Sequence, residues 1–141
     1  MATTKVVYQG DYRFEATQLA SGEKFHSDMP TSAGGKGEYQ NPADMLGTAV
    51  IYCTMTTMAM AAEKRGLSFE GSYAELGNIE ENSKQIIITS IEITFHLRAE
   101  YDDATRKRLE HFAHNACYVG NTISAEKKFT FIYDGTVLKS V

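Results

Sequence analysis

Cys53 and Cys117 are the residues in this chain best suited to covalent chemistry. A thiolate is a nucleophile that can be oxidised and reduced again, so two cysteines can pass electrons through a disulfide. Neither sits in a Cys-x-x-Cys, which sets aside zinc ribbons and thioredoxin-type motifs. Spacing alone leaves two readings open: a reactive pair, or two buried thiols that only fill space. The histidines (His26, His96, His111 and His114) show no ligand spacing with a third partner. His111 and His114 lie one helical turn apart, with Cys117 as the nearest soft ligand. The charged run before them favours a solvated helix face. Walker loops, GxSxG and HExxH are missing from the sequence. Gly34-Gly35-Lys36-Gly37 does not lead from a strand into a helix, so it reads as a flexible loop.

The elements that must hold these residues follow from local signals. Residues 5–19 read as two short strands around a Gly10-Asp11 turn. Ser21-Gly22-Glu23 is a second turn and Lys24 to Asp28 a third strand, followed by a loop from Met29 to Gln40. Asn41-Pro42 opens a helix, because Asn caps well and Pro suits the first helical position. Asp44 in its first turn favours the helix dipole. This helix carries Cys53, is apolar around most of its girth and stops at Gly66, so it should be covered on nearly all sides. Leu67 to Leu76 and Gln85 to Ala99 read as strands, with Asn78 to Lys84 turning between them. In the second strand, Ile87 to Leu97 alternates apolar and polar faces. Asp102-Asp103 starts a helix to about Asn115. Cys117 opens a short helix to Ile123, and Phe129 to Tyr133 is a last strand. The order predicts an α+β fold with a mainly antiparallel sheet on a long central helix.

Composition narrows the setting. A chain of 141 residues suits one domain, 1–141, with a core that needs no disulfide staples. With 43% hydrophobic and 23% charged residues it reads as an ordinary globular protein. A formal charge of −4 argues against nucleic acid as a main partner. The apolar stretch from Met45 to Ala62 carries four threonines, a tyrosine and a cysteine, and reads as a buried helix rather than a membrane span. The first residues lack the apolar core and cleavage pattern of an export signal. The expected setting is therefore the reducing cytoplasm, where paired thiols are more often catalytic than structural.

The segment Gly35-Lys36-Gly37-Glu38-Tyr39-Gln40-Asn41-Pro42-Ala43-Asp44-Met45-Leu46, running on to Cys53, resembles the OsmC/Ohr family. Members have an (Asn/Ser)-Pro-x-(Glu/Asp)-x-Leu helix start with a cysteine about two and a half turns on. His114-Asn115-Ala116-Cys117-Tyr118-Val119 resembles the second family motif, usually Cys-Pro-Val. Tyr8 to Arg13, Ser21-Gly22 and Ser27 to Pro30 fit one bacterial branch, so the resemblance spans nearly the whole chain.

The resemblance implies an intertwined homodimer whose sites draw on both subunits. It implies a cysteine-based peroxidase acting on organic hydroperoxides or hydrogen peroxide, with no cofactor and no metal. Cys53 would attack the peroxide and become a sulfenic acid; Cys117 would resolve it as a disulfide; a thiol or dithiol reductant would restore both. An arginine lowers the thiolate pKa in the family, and a carboxylate orients the arginine. Here Ala43 stands where the family places that Glu, with Asp44 next. No Arg occurs between residues 14 and 64, which leaves Arg13 as the N-terminal candidate, with Lys36 and Glu38 as substitutes from the loop. Tyr118 replaces the usual Pro. These departures keep a second reading open, a redox-sensing or small-molecule-binding protein of the same fold with little turnover.

Overall fold

Asn41 starts the longest element, α1 (Pro42–Glu63). Its Oδ1 accepts the Asp44 N–H at 2.9 Å, and its Nδ2 donates to Asp44 Oδ2 at 3.3 Å, a reciprocal cap on the first turn. The computed structural model describes residues 1–135. They form two compact units, Met1–Met45 and a second that begins at Leu46.

The first unit is an antiparallel meander of β1 (Thr4–Gly10), β2 (Arg13–Gln18) and β3 (Lys24–Ser27). The β1–β2 turn is centred on Asp11 and Tyr12, both at positive φ, one residue later than the sequence suggests. The β2–β3 register sets Phe14 opposite Ser27, Glu15 opposite His26 and Thr17 opposite Lys24. The same alternation carries Arg13 toward Asp28. One face is polar, with Lys24 Nζ and His26 Nε2 on Glu15 at 3.1 and 3.3 Å. The other carries Val6, Tyr8, Phe14 and Phe25, all exposed. A 3₁₀ turn at Thr31–Ala33 and Gly34 follow, and Gly35 then passes so close to the Met29 carbonyl that a Cβ would overlap it.

In the second unit the sheet order is β4 (Tyr73–Asn82), β5 (Ile87–His96), β6 (Glu126–Ile132). β4 and β5 are antiparallel; β5 and β6 are parallel. The strands thus form two three-stranded sheets, with three of four pairings antiparallel. Ile91, Ile93, Phe95 and Leu97 of the predicted alternating strand are all buried, against Val50, Met58, Ala61 and Ala62 of α1 and Leu109 and Ala113 of α2 (Asp103–Asn115). Phe95 meets Phe129 edge-on and Phe131 stacked, at 5.1 and 5.3 Å. Burying such a side chain stabilises by about 1.5–3 kcal/mol. His111 and His114 are exposed on α2, as a solvated face predicts.

Three sequence expectations are corrected. Leu67 to Ser72 is a loop rather than a strand, with Ser72 N–H turning back to the Phe69 carbonyl at 3.2 Å. The expected turn from Asn78 to Lys84 falls mostly inside β4, where Gly77 and Asn78 form a bulge pinned by Glu92 Oε2, which accepts the Asn78 N–H at 3.1 Å. The real turn is residues 83–86, where Ile86 is 87% exposed at a φ of 55°. A β-branched residue held there is strained by roughly 1–2 kcal/mol. Finally, α1 is not covered on nearly all sides. Gly47, Val50, Thr54, Met58, Ala61 and Ala62 are buried, but Tyr52, Thr56 and Met60 form an open stripe on the single chain. By length and composition α1 could cross a membrane, yet its inner stripe is packed in this protein core.

His96 ties the end of the second sheet. Its Nε2 meets Glu75 Oε1 at 2.7 Å and its Nδ1 meets Asp134 Oδ2 at 2.9 Å, while the ring stacks on Tyr73 at 4.4 Å. Burial opposes the imidazolium, but the hydrogen bonds to Asp134 and Glu75 outweigh it and raise the His96 pKa. A raised folded pKa contributes stability that is complete below the ordinary imidazole value of about 6.5 and lost as pH rises through the folded value. Urea titrations of wild type and His96→Gln are therefore expected to show a stability gap that narrows on that rise. A gap independent of pH would contradict this.

Candidate thiol site

Cys53 sits in the middle of α1, half-buried beside the open stripe. Cys117 is 2% exposed and caps α3 (Tyr118–Thr122). Its Sγ accepts the Gly120 N–H at 3.2 Å, and Lys127 Nζ holds the other end of α3 through the Gly120 and Ile123 carbonyls at 2.8 and 2.7 Å. These contacts fix Cys117 where its side chain lies against Cys53.

The two thiols are pulled in opposite directions. The hydrogen bond from Cys117 holds the Cys53 pKa below its ordinary value despite burial, and the Val119 and Tyr118 N–H groups add to this. Burial pushes the Cys117 thiol up, and its contact with Cys53 pushes it further; the Gly120 N–H and the Thr54 hydroxyl offset part of this. Of the two, Cys53 is therefore the thiol that ionises first and Cys117 the one that keeps its proton longer, the division an attacking and a resolving sulfur need. Tyr118 matters here for its backbone. A proline would have no N–H to donate.

Cys53 opens onto a groove of about 580 Å³, lined by Ala49, Tyr52, Cys53, Thr56, Thr57, Met60, Ala116, Tyr118 and Val119. Its wall is mostly apolar and carries no charged side chain. Thr56 and Thr57 bond back to the Tyr52 and Cys53 carbonyls at 2.7 and 3.0 Å. Thr54 differs. It is fully buried, and its Oγ1 has no well-formed hydrogen bond among the described residues, although it lies against Cys117. Leaving such a group unsatisfied costs about 1–3 kcal/mol.

The other sequence candidates lie in the first unit. Arg13 Nε is 3.7 Å from Asp28 Oδ2 and Nη1 is 3.5 Å from Glu38 Oε1, with the guanidinium over the Tyr39 ring at 4.6 Å. Arg13 Nη2 is buried and unpartnered among the described residues. Asp28 is 1% exposed and accepts the backbone N–H groups of Met29, Lys36 and Glu38 at 2.7, 3.3 and 3.0 Å. Burial opposes its charge, but these three bonds, then Arg13, hold its pKa below the ordinary carboxylate value. Sequence reasoning missed Asp28. The signal was the β2–β3 register, which faces it to Arg13. Lys36 is exposed, and its backbone rather than its ammonium serves Asp28. Asp44 is engaged with Asn41 at the start of α1.

Residues 35–131 match the family model for OsmC-like protein. No curated protein matches the chain. Among solved structures, one from Psychrobacter arcticus, described as an osmotic stress induced and detoxification response protein, is 29% identical. That match covers 93% of this chain and 96% of that one, with a TM-score of 0.86. The organic hydroperoxide resistance protein OsmC of Legionella pneumophila is 17% identical over 92% of this chain and 94% of its own, with a TM-score of 0.69. OhrB of Bacillus subtilis, an organic hydroperoxide resistance protein, is also 17% identical, over 92% and 98%, with a TM-score of 0.66. At that identity the last two speak to the fold, which is the α+β fold described above. With the two thiols in contact on the family's helix and late cysteine motif, and the family model spanning most of the sequence, the chain belongs to the OsmC-like protein family.

Proposed function

We propose that this protein is a thiol-dependent peroxidase that reduces organic hydroperoxides, and hydrogen peroxide less well, through Cys53 and Cys117. The observation that carries the reading is Cys53 opening onto the groove with buried Cys117 against it, the two thiol pKa values pushed apart. The Cys53 thiolate attacks the outer peroxide oxygen, the O–O bond breaks, and the alkoxide takes a proton to leave as an alcohol. Cys53 is then a sulfenic acid. Cys117 displaces its hydroxyl as water and closes a disulfide, which a dithiol reductant opens again. The apolar groove supports a substrate with an organic tail over hydrogen peroxide.

In this reading Arg13 is the activating cation, and its unpartnered Nη2 supports a role toward a ligand. Asp28 and Glu38 orient it, Lys36 contributes through its backbone, and Asp44 serves the helix start. The exposed apolar residues Tyr52, Met60 and Tyr118, and those on the first sheet, support a homodimer. A single-chain mass by sedimentation would count against that assembly. The reducing cytoplasm is the matching compartment. The slower, sensing or binding alternative is favoured by the two carboxylates around Arg13, which weaken its field. The assay that tests the proposal is consumption of cumene hydroperoxide and hydrogen peroxide by the reduced protein with a dithiol. Turnover, faster with the organic substrate, is expected; consumption no faster than background would refute it.

A further inference from the structure

Thr54 stands apart from the other hydroxyls around the thiol pair. Thr56 and Thr57 satisfy themselves on α1 carbonyls one turn back. Thr54 is as deeply buried as any residue in the core, yet its Oγ1 closes no well-formed hydrogen bond among the described residues. A valine has nearly the same shape and would leave nothing unsatisfied there. The hydroxyl lies against the sulfur of Cys117, itself buried. Neither residue lines the groove, whereas Cys53 does. A peroxide in the groove therefore meets Cys53 and not Thr54.

We propose that the Thr54 hydroxyl is the hydrogen-bond donor that readies Cys117 to attack oxidised Cys53, so that it serves the second half of the reaction and not the first. This rests on the peroxidase reading above. In that half, a Cys117 sulfur lone pair forms the S–S bond while the Cys53 S–O bond breaks. The Cys117 thiol proton passes to the departing oxygen, giving water. As the proton leaves, negative charge grows on a sulfur that burial keeps from water. The Gly120 N–H, 3.2 Å from that sulfur, is one fixed donor; Thr54 is the second. Without a partner among the described residues in the thiol state, its hydroxyl is available for a bond that forms when charge develops. The Thr54 proton stays on its oxygen throughout.

The test separates the half-reactions in Thr54→Val, with Thr54→Ala as a second hydroxyl-free variant and Thr54→Ser as the conservative one. Reduced protein is mixed with cumene hydroperoxide. Sulfenic acid formation and disulfide closure are timed separately, by dimedone trapping and by quenched mass spectrometry. In Thr54→Val, sulfenic acid is expected to form at close to the wild-type rate. Disulfide closure should slow by about tenfold, the scale of one lost hydrogen bond. Its pH profile should move upward, sulfinic acid should accumulate, and Thr54→Ser should restore closure. The melting temperature should not fall, since an unsatisfied group has been removed. A folded Thr54→Val or Thr54→Ala that closes the disulfide at the wild-type rate overturns the inference and leaves the peroxidase reading intact. A wild type that forms no sulfenic acid fails the peroxidase reading and this inference with it.

Discussion

Cys53→Ser is expected to lower hydroperoxide consumption by at least roughly 10³-fold, the scale on which removing a reacting nucleophile acts. The serine keeps the shape of the site but has no ionisable thiol for the Cys117, Tyr118 and Val119 donors to stabilise. Cys117→Ser should behave differently. It leaves Cys53 able to react once, so a burst of one equivalent of alcohol should precede a stall. The stranded sulfenic acid should then climb to sulfinic acid under excess hydroperoxide. The pH dependence follows from the same contacts. Because the Cys53 pKa lies below the ordinary thiol value of 9.0, the first-step rate should fall only as pH drops through that lowered value. Stopped-flow rates against pH read this directly. A Cys53→Ser protein with wild-type turnover would end the thiol account.

Arg13→Ala carries the second largest expected effect, a loss of about 10²-fold in the rate constant for the first step, comparable to losing one preorganised donor. Asp28→Asn should come close to it, because a misplaced guanidinium is nearly as harmful as a missing one. Glu38→Gln should do less, since the Glu38 side chain is 57% exposed and its pair with Arg13 is screened. The two stronger substitutions are expected to be non-additive. With Arg13 already gone, Asp28→Asn has nothing left to misplace, and the double variant should be about as slow as Arg13→Ala alone. Additive losses would instead make Asp28 a structural anchor for residues 29–38.

What was legible in the sequence divides along physical lines. Asn41-Pro42 and Asp102 announced α1 and α2, because caps are local chemistry. The alternation ending at Leu97 announced the buried face of β5. The stretch from Asn78 misled, because a bulge uses the same residue types as a turn and only the partner strand separates them. The open stripe of α1 could not be read either. Tyr52, Thr56 and Met60 are apolar enough for a core, and nothing local says that this edge is left uncovered. In the site, the cysteines and their pairing came from the resemblance, while what holds Cys117 in place did not. It depends on the Gly120 N–H at the Cys117 sulfur and on Lys127 at the far end of α3, a tertiary arrangement. Asp28 carried no local signal at the end of its strand. Its partner was across a hairpin, set by register rather than by spacing along a helix.

The central claim is that Cys53 and Cys117 form one redox unit. Peptide mass spectrometry of the reduced protein after one equivalent of organic hydroperoxide tests it most directly. A Cys53–Cys117 disulfide is expected, seen as one cross-linked peptide pair lighter by two hydrogens, that a dithiol reverses. Two free thiols after the peroxide has been mixed in would contradict it.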